Sequence, residues 1–316
     1  MTCGIHRGWA IGLATCAVLG LGCASKAGVA RPPDPARVEL VRSVKDFEQK
    51  VGFEETGNFA RPSSQWHVDY RCYYTGKLKL PSNYYKLKLR RGGPNGCSVD
   101  ERKHDVFFYP VEAVASGHTP LTPSLSKATV ERTLMVIPHE DFHNDSLIEE
   151  WPTAISEAAS TLIGFLTAAE FAKREYGESS PEFMNLHNEA ETFLRKAEIV
   201  NTYTERVTAT YRSRKAGDLT KADALRRKQV LFDQLGKECT ALPDTHSFNK
   251  CPGALNNAGL AFDRTYTKHY PLLYKVYRKK GATLAGMVAA LRPPPGRGSL
   301  SETEAVAYFR QEIEGE

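Results

Sequence analysis

The segment His139-Glu140-Asp141-Phe142-His143 sets two imidazoles four residues apart, with a carboxylate directly after the first. On a helix that spacing puts both histidines on one face, one turn apart, where two neutral rings can grip a single Zn2+ ion. Glu140 projects beside them. It is poorly aimed to join the same coordination sphere but able to reach water held there, which is the general-base position of zinc proteases. Such hydrolases need a third protein ligand and an open fourth position. The expected third ligand is Glu157, a carboxylate between Ala154-Ile155-Ser156 and Ala158-Ala159, with Leu162, Ile163, Phe165 and Leu166 after it. A carboxylate on so apolar a helix is costly unless it is paired or bound to metal. Ala158 and Ala159 are small enough to let that helix pack closely on the motif. Glu149 and Glu150 compete as ligands, but they precede Pro152 and fit the opening of the next helix. Glu170 and Asp145 are the expected partners for orienting a ligand histidine. The chemistry implied is hydrolysis, with Glu140 taking a proton from water and returning it to a leaving amine.

Elements of defined length must hold these groups. Pro138 sits directly before His139, so either a helix begins there after a strand at Leu134-Met135-Val136-Ile137, or a longer helix bends there. An Ala-rich helix is expected from Thr153 to Tyr176. Upstream, Val38, Val41, Val44 and Phe47 give helical periodicity to Arg37–Gly52. Alternating and clustered apolar residues from Trp66 to Phe108 read as strands, including Leu78 with Leu80 and Tyr85 with Leu87 and Leu89, and Asp105–Tyr109 reads as another strand. Pro81-Ser82-Asn83 and Gly92–Gly96 mark turns between them. Downstream, 181–213 and 221–236 read as an antiparallel helical pair, and 255–291 is helical again. The fold class expected is therefore α+β and mostly α, a small antiparallel sheet packed on a helical core. A single catalytic domain spans 38–295, its α/β part at 38–127 and its helical part at 128–295. A charged tail, expected as a mobile helix, follows at 296–316.

The remaining features concern compartment and partners. Of the 316 residues, 41% are hydrophobic and 25% charged, so the chain can bury a real core. Its net charge of +5 is dispersed, and the densest basic runs, 88–91 and 226–228, lack the aromatic or glycine framework of a nucleic-acid module. At the N-terminus, His6 and Arg7 precede a nearly continuous apolar run from Trp9 to Leu21, too short for a comfortable membrane span and typical of a secretory signal at 1–23. Leu19-Gly20-Leu21-Gly22-Cys23 resembles a lipoprotein box, which makes Cys23 a lipid anchor on a flexible tether at 24–37. A simple cleaved signal is the alternative. Four cysteines follow, Cys72, Cys97, Cys239 and Cys251, and an even number in an exported chain implies two disulfides. Proximity favours Cys72–Cys97 and Cys239–Cys251, although three pairings are formally possible. His67, His104, His118, His187, His246 and His269 have no partner at ligand spacing and read as structural or exposed.

The motif, the downstream Ser156-Glu157-Ala158-Ala159-Ser160, and then Asn256-Asn257-Ala258-Gly259-Leu260 with Thr265-Tyr266 resemble the bacterial predicted aminopeptidases, many of them lipoproteins. The resemblance implies a gluzincin-like core in which His139, His143 and Glu157 are ligands and Glu140 is the base. It also implies aminopeptidase activity on a peptide substrate. The chain departs from that family with Asp141-Phe142 inside the motif, in place of Leu-Ala, and with Ser156 in place of Asn, which marks a divergent branch. Asn256, Asn257 and Tyr266 carry the donors that an oxyanion site needs. The other reading is that the asparagines cap a helix and Tyr266 packs in the core. The sequence thus points to an exported, envelope-tethered, monomeric metallopeptidase with one Zn2+. Two alternatives stand beside it: a catalytically silent envelope protein used for binding, and a zinc amidase acting on cell-wall peptides.

Overall fold

The computed structural model describes residues 33–243, 251, 253–292 and 299–315. Cys23, His246 and the signal segment lie outside these residues. The chain opens with α1 (Pro35–Lys50), capped by Asp34, whose side chain accepts from the Ala36 amide. Val41, Val44 and Phe47 of α1 are buried as their spacing requires. Three strands follow, β1 (Asp69–Gly76), β2 (Lys88–Arg91) and β3 (His104–Val111), in one antiparallel sheet of order β2-β1-β3. Then come α2 (Pro123–Ser126), α3 (Val130–Phe142), α4 (Ser146–Glu149), α5 (Thr153–Tyr176), α6 (Pro181–Leu186), α7 (Glu189–Ala216) and α8 (Lys221–Thr240). The chain closes with α9 (Asn257–Thr267), α10 (Tyr270–Lys279), α11 (Leu284–Ala290) and α12 (Glu302–Glu314). This is the mostly α, α+β fold expected, with a small antiparallel sheet beside a helical bulk.

The helix α5 is the axis of the core. Sixteen of its residues are buried, among them Ile155, Leu162, Ile163, Phe165 and Phe171. It packs along α3, with Gly164 facing that helix. A β-carbon there would come within 2.9 Å of the Met135 carbonyl oxygen and 3.3 Å of His139 Cβ. Gly164, rather than Ala158 or Ala159 alone, lets the two helices meet at this depth. Around the other end of the sheet, Tyr73 and Phe107 pack on Phe262 of α9, at ring separations of 5.5 and 4.6 Å.

Several local expectations are corrected. Of the two arrangements open at Pro138, the longer helix holds and the strand does not: α3 runs through Pro138, forfeiting the hydrogen bond to the Leu134 carbonyl. Leu78 and Leu80 lie in the turn and loop after β1, and Tyr84–Lys86 forms a short 3-10 turn capped by Asn83. Turn chemistry overrides the apparent alternation there. Residues 34–37 are not tether, since Arg37 donates to the Thr133 hydroxyl and the Ala128 carbonyl. The tail is not peripheral either. Helix α12 has a capping box, Ser301 with Glu304, and buries Ala305 and Phe309 completely. Phe309 stacks 4.6 Å from Trp151, so this segment closes the core beside α5. The cysteines pair as Cys72–Cys97, which ties β1 to the loop after β2, and as Cys239–Cys251, which ties the end of α8 to the approach to α9. Among the described residues no helix is long and apolar enough to cross a membrane.

Candidate metal centre

Helix α3 is nucleated by Thr129, whose hydroxyl accepts from the Arg132 amide, and Glu131 in its first turn complements the helix dipole. At its far end it delivers His139, with His143 in the C-cap position. The two rings stand edge to face with centroids 4.9 Å apart. Helix α5 crosses there and presents Glu157 two positions after Ile155 at its own first turns. His143 Nε2 lies 3.1 Å from Glu157 Oε2, and His139 Nε2 lies 3.8 Å from the same oxygen. One donor atom from each of the three residues fits within a 4.8 Å set. Two atoms bound to one tetrahedral zinc at about 2.0–2.1 Å stand about 3.3–3.4 Å apart. The observed separations straddle that value, so the donor set fits one ion of this kind. Among the described residues it is the one group of three or more His, Cys, Asp or Glu side chains so placed.

The electrostatics also suit ligands. Burial, with the neighbouring His143, holds the His139 imidazole down to about 3, so it is neutral with a lone pair to give. Burial lowers the His143 value too, but the Glu157 carboxylate outweighs it and leaves the ring above its ordinary value. Burial acts to raise Glu157, yet His143 holds it below the usual carboxylate range. A cation would replace this imidazole–carboxylate pairing. Glu140 is pushed up to about 7 by burial, opposed by His143 and reinforced by Glu157.

Two hydrogen bonds fix the ligands from behind. Ser156 Oγ is 3.2 Å from His143 Nδ1, which orients the ring and leaves Nε2 directed at Glu157. Tyr84 donates to Glu157 Oε1 at 3.0 Å, leaving Oε2 for the histidines. Glu170 and Asp145 do not serve this purpose. Glu170 is exposed on α5, and Asp145 caps α4 through the Leu147 amide while accepting from the Glu54 amide. No family model, curated protein or solved structure matches the chain.

The site opens into a cleft of about 410 Å³. His139, Glu140, His143 and Glu157 form its floor, and Arg71, Tyr84, Tyr85, Tyr109 and Glu149 lie along its walls. Tyr266 of α9 also lines it, its ring centroid 6.2 Å from that of His139. Asn256 and Asn257 do not reach the cleft, which corrects their placement as oxyanion donors. Asn256 caps α9 by accepting from the Ala258 and Gly259 amides and donates to the Val106 carbonyl. Asn257 is fully buried, accepting from the Tyr211 hydroxyl at 2.8 Å and donating to the Lys77 carbonyl at 3.0 Å. They join α9 to the sheet. Among the other histidines, His67 contacts Tyr70, His187 is exposed, and His269 pairs with Glu302 at 2.6 Å. Tyr84, Arg71 and the role of Ser156 went unseen in the sequence. Tyr84 sits in a hairpin turn 73 residues before Glu157, and no local pattern links the two.

Proposed function

We propose that this protein is an exported zinc-dependent metallopeptidase. The observation that carries the reading is the convergence of His139, His143 and Glu157 at the floor of an open cleft, with Glu140 beside them. His139, His143 and Glu157 would hold the ion. When bound, zinc supplies Lewis-acid activation of water and of a substrate carbonyl. Glu140 holds the proton removed from the attacking water and delivers it to the leaving amine, a task suited to a carboxyl poised near neutrality. Tyr266 stands on the cleft wall, where a phenol can donate to a developing oxyanion, while the Tyr84 hydroxyl is committed to Glu157. Burial, chiefly, keeps the Tyr266 phenol protonated and therefore able to donate. Ser156 keeps the His143 ring from turning away. The two disulfides agree with folding in an oxidising compartment, and Cys23 would then supply the membrane anchor. The aminopeptidase mode rests on the family resemblance.

Substitution of Glu140 by Gln tests the reading. It keeps the shape of the side chain and none of its basicity, so zinc content should match the wild type. Turnover of a peptide library should fall by about 10³-fold or more. Near-wild-type turnover in the variant would remove Glu140 from the chemistry.

A further inference from the structure

The cleft holds one guanidinium, and its position is set by the sheet. Arg71 lies on the central strand β1, opposite Tyr109 of β3 and Arg91 of β2. Side chains alternate across a strand, so Arg71 and Tyr73 share one face. At one end of that face Tyr73 packs on α9, and at the other Arg71 lines the cleft that also holds the two histidines. Among the described residues that line the cleft, Arg71 is the one Lys or Arg, set against the carboxylates Glu140, Glu149 and Glu157. Two of those, Glu140 and Glu157, have work at the cleft floor.

Its existing contacts leave capacity. The carboxylate within 4.0 Å of Arg71 is Asp69, reached through Nε at 3.6 Å, and Asp69 is shared with Arg91 at 3.2 Å. One carboxylate therefore serves two guanidiniums. Nη1 lies 3.5 Å from the Tyr73 hydroxyl, a long contact to a neutral group. The fork of terminal nitrogens is the part of an arginine that grips a planar carboxylate through two parallel bonds.

We infer that Arg71 forms a carboxylate-binding subsite in this cleft, which takes the free C-terminus or an acidic side chain of a peptide ligand. The inference deepens the peptidase reading by naming the ligand class, and it rests on that reading only for what happens after binding. It sharpens mode as well. A terminal carboxylate held here would set the scissile bond close to the ligand's C-terminus, whereas an amine held by Glu149 would set it close to the N-terminus.

Direct binding tests the subsite without requiring turnover. The zinc-loaded protein is titrated calorimetrically with acetyl-Ala-Ala acid, acetyl-Ala-Ala amide and acetyl-Ala-Asp amide. In the wild type, at least one of the two carboxylate-bearing peptides should bind about tenfold or more tighter than the neutral amide, and which of them does so names the source. In Arg71→Gln, at unchanged zinc content and unchanged thermal midpoint, that advantage should vanish, while Arg71→Lys keeps part of it. An equal affinity for all three peptides in the wild type overturns the subsite. So does an advantage that persists undiminished in Arg71→Gln, since the carboxylate would then be read by the metal. Hydrolysis of the same peptides, followed in parallel, bears on the peptidase reading alone: binding without turnover sinks that reading and leaves the subsite standing.

Discussion

The two sides of α3 bury ionisable groups in opposite ways. Behind the helix, Asp141 is 2% exposed and both its oxygens accept hydrogen bonds. Lys45 Nζ reaches it at 2.6 Å, the Thr56 hydroxyl at 2.6 Å and the Asn58 amide at 2.9 Å. Glu48 of α1 lies beside it, and burial together with the Asp141 carboxylate pushes its carboxyl well above the usual range. Three donors converge on the Asp141 carboxylate, Glu48 Oε1 alone of this group lacks a hydrogen-bond partner, and the group ties the motif helix to α1. In front, His139, Glu140 and His143 flank Asp141 within two residues on either side and line a cleft. Charges buried at similar depth thus do two jobs. A closed network behind holds the helix still, and an open set in front waits for a ligand. The Asp141 that departs from the resembled family is what builds the rear network.

The contrast can be broken most forcefully from behind. Asp141→Ala strands Lys45 and removes the acceptor for two neutral donors, and breaking a buried pair of this type costs about 3–5 kcal/mol. Denaturant unfolding of the metal-free protein should show that loss. His143→Ala, measured the same way without metal, should stay within about 1 kcal/mol of the wild type, because its partners face a cleft that water can enter. Equal destabilisation by both would erase the distinction.

The front could be foreseen and the rear could not. A four-residue histidine spacing is a local signal, and Glu157 declared itself as a carboxylate among Ala, Ile, Leu and Phe. The core helix, the α1 stripe and the disulfide spacing were legible for the same local reason. Asp141 drew notice only as a departure, because its partners Lys45, Thr56 and Asn58 lie 83 to 96 residues away. Tyr84 and Arg71 belong to a hairpin whose register brings them to the site, and register is a tertiary fact. The pair Asn256-Asn257 illustrates the converse. An amide-rich motif before a helix looks chemical, yet capping and burial absorb it. Charged residues at the C-terminus likewise masked the Ala305–Phe309 stripe of α12.

A smaller effect sharpens the front. Tyr84→Phe removes the hydroxyl on Glu157 Oε1 while leaving the ring packed against Phe262. Zinc affinity should weaken by about 10- to 100-fold. The stability of the metal-free protein should scarcely change, and competition with a chromogenic chelator reads the difference. An unaltered affinity would make the hydroxyl incidental.

The smallest effect is one of pH and belongs to the rear. Glu48 is held neutral when folded and ionises in the unfolded chain above its ordinary value of 4.5. Its contribution is therefore fully present below that value and fades as pH rises toward the folded one, by at most about 1.4 kcal/mol per pH unit. Glu48→Gln removes this dependence, so it should gain stability relative to the wild type at pH 8 compared with pH 4. A pH-independent difference in thermal midpoint between the two proteins would mean that Glu48 is already ionised in the fold.

The central claim is that three side chains from α3 and α5 share one cation. Calorimetric zinc titration of the chelator-stripped wild type and of Glu157→Ala addresses it most directly. The wild type should take up one zinc per chain, and the variant should bind at least about 100-fold more weakly while still unfolding cooperatively without metal. A wild type that binds no zinc with defined stoichiometry, or a variant that binds it as tightly, would contradict the account.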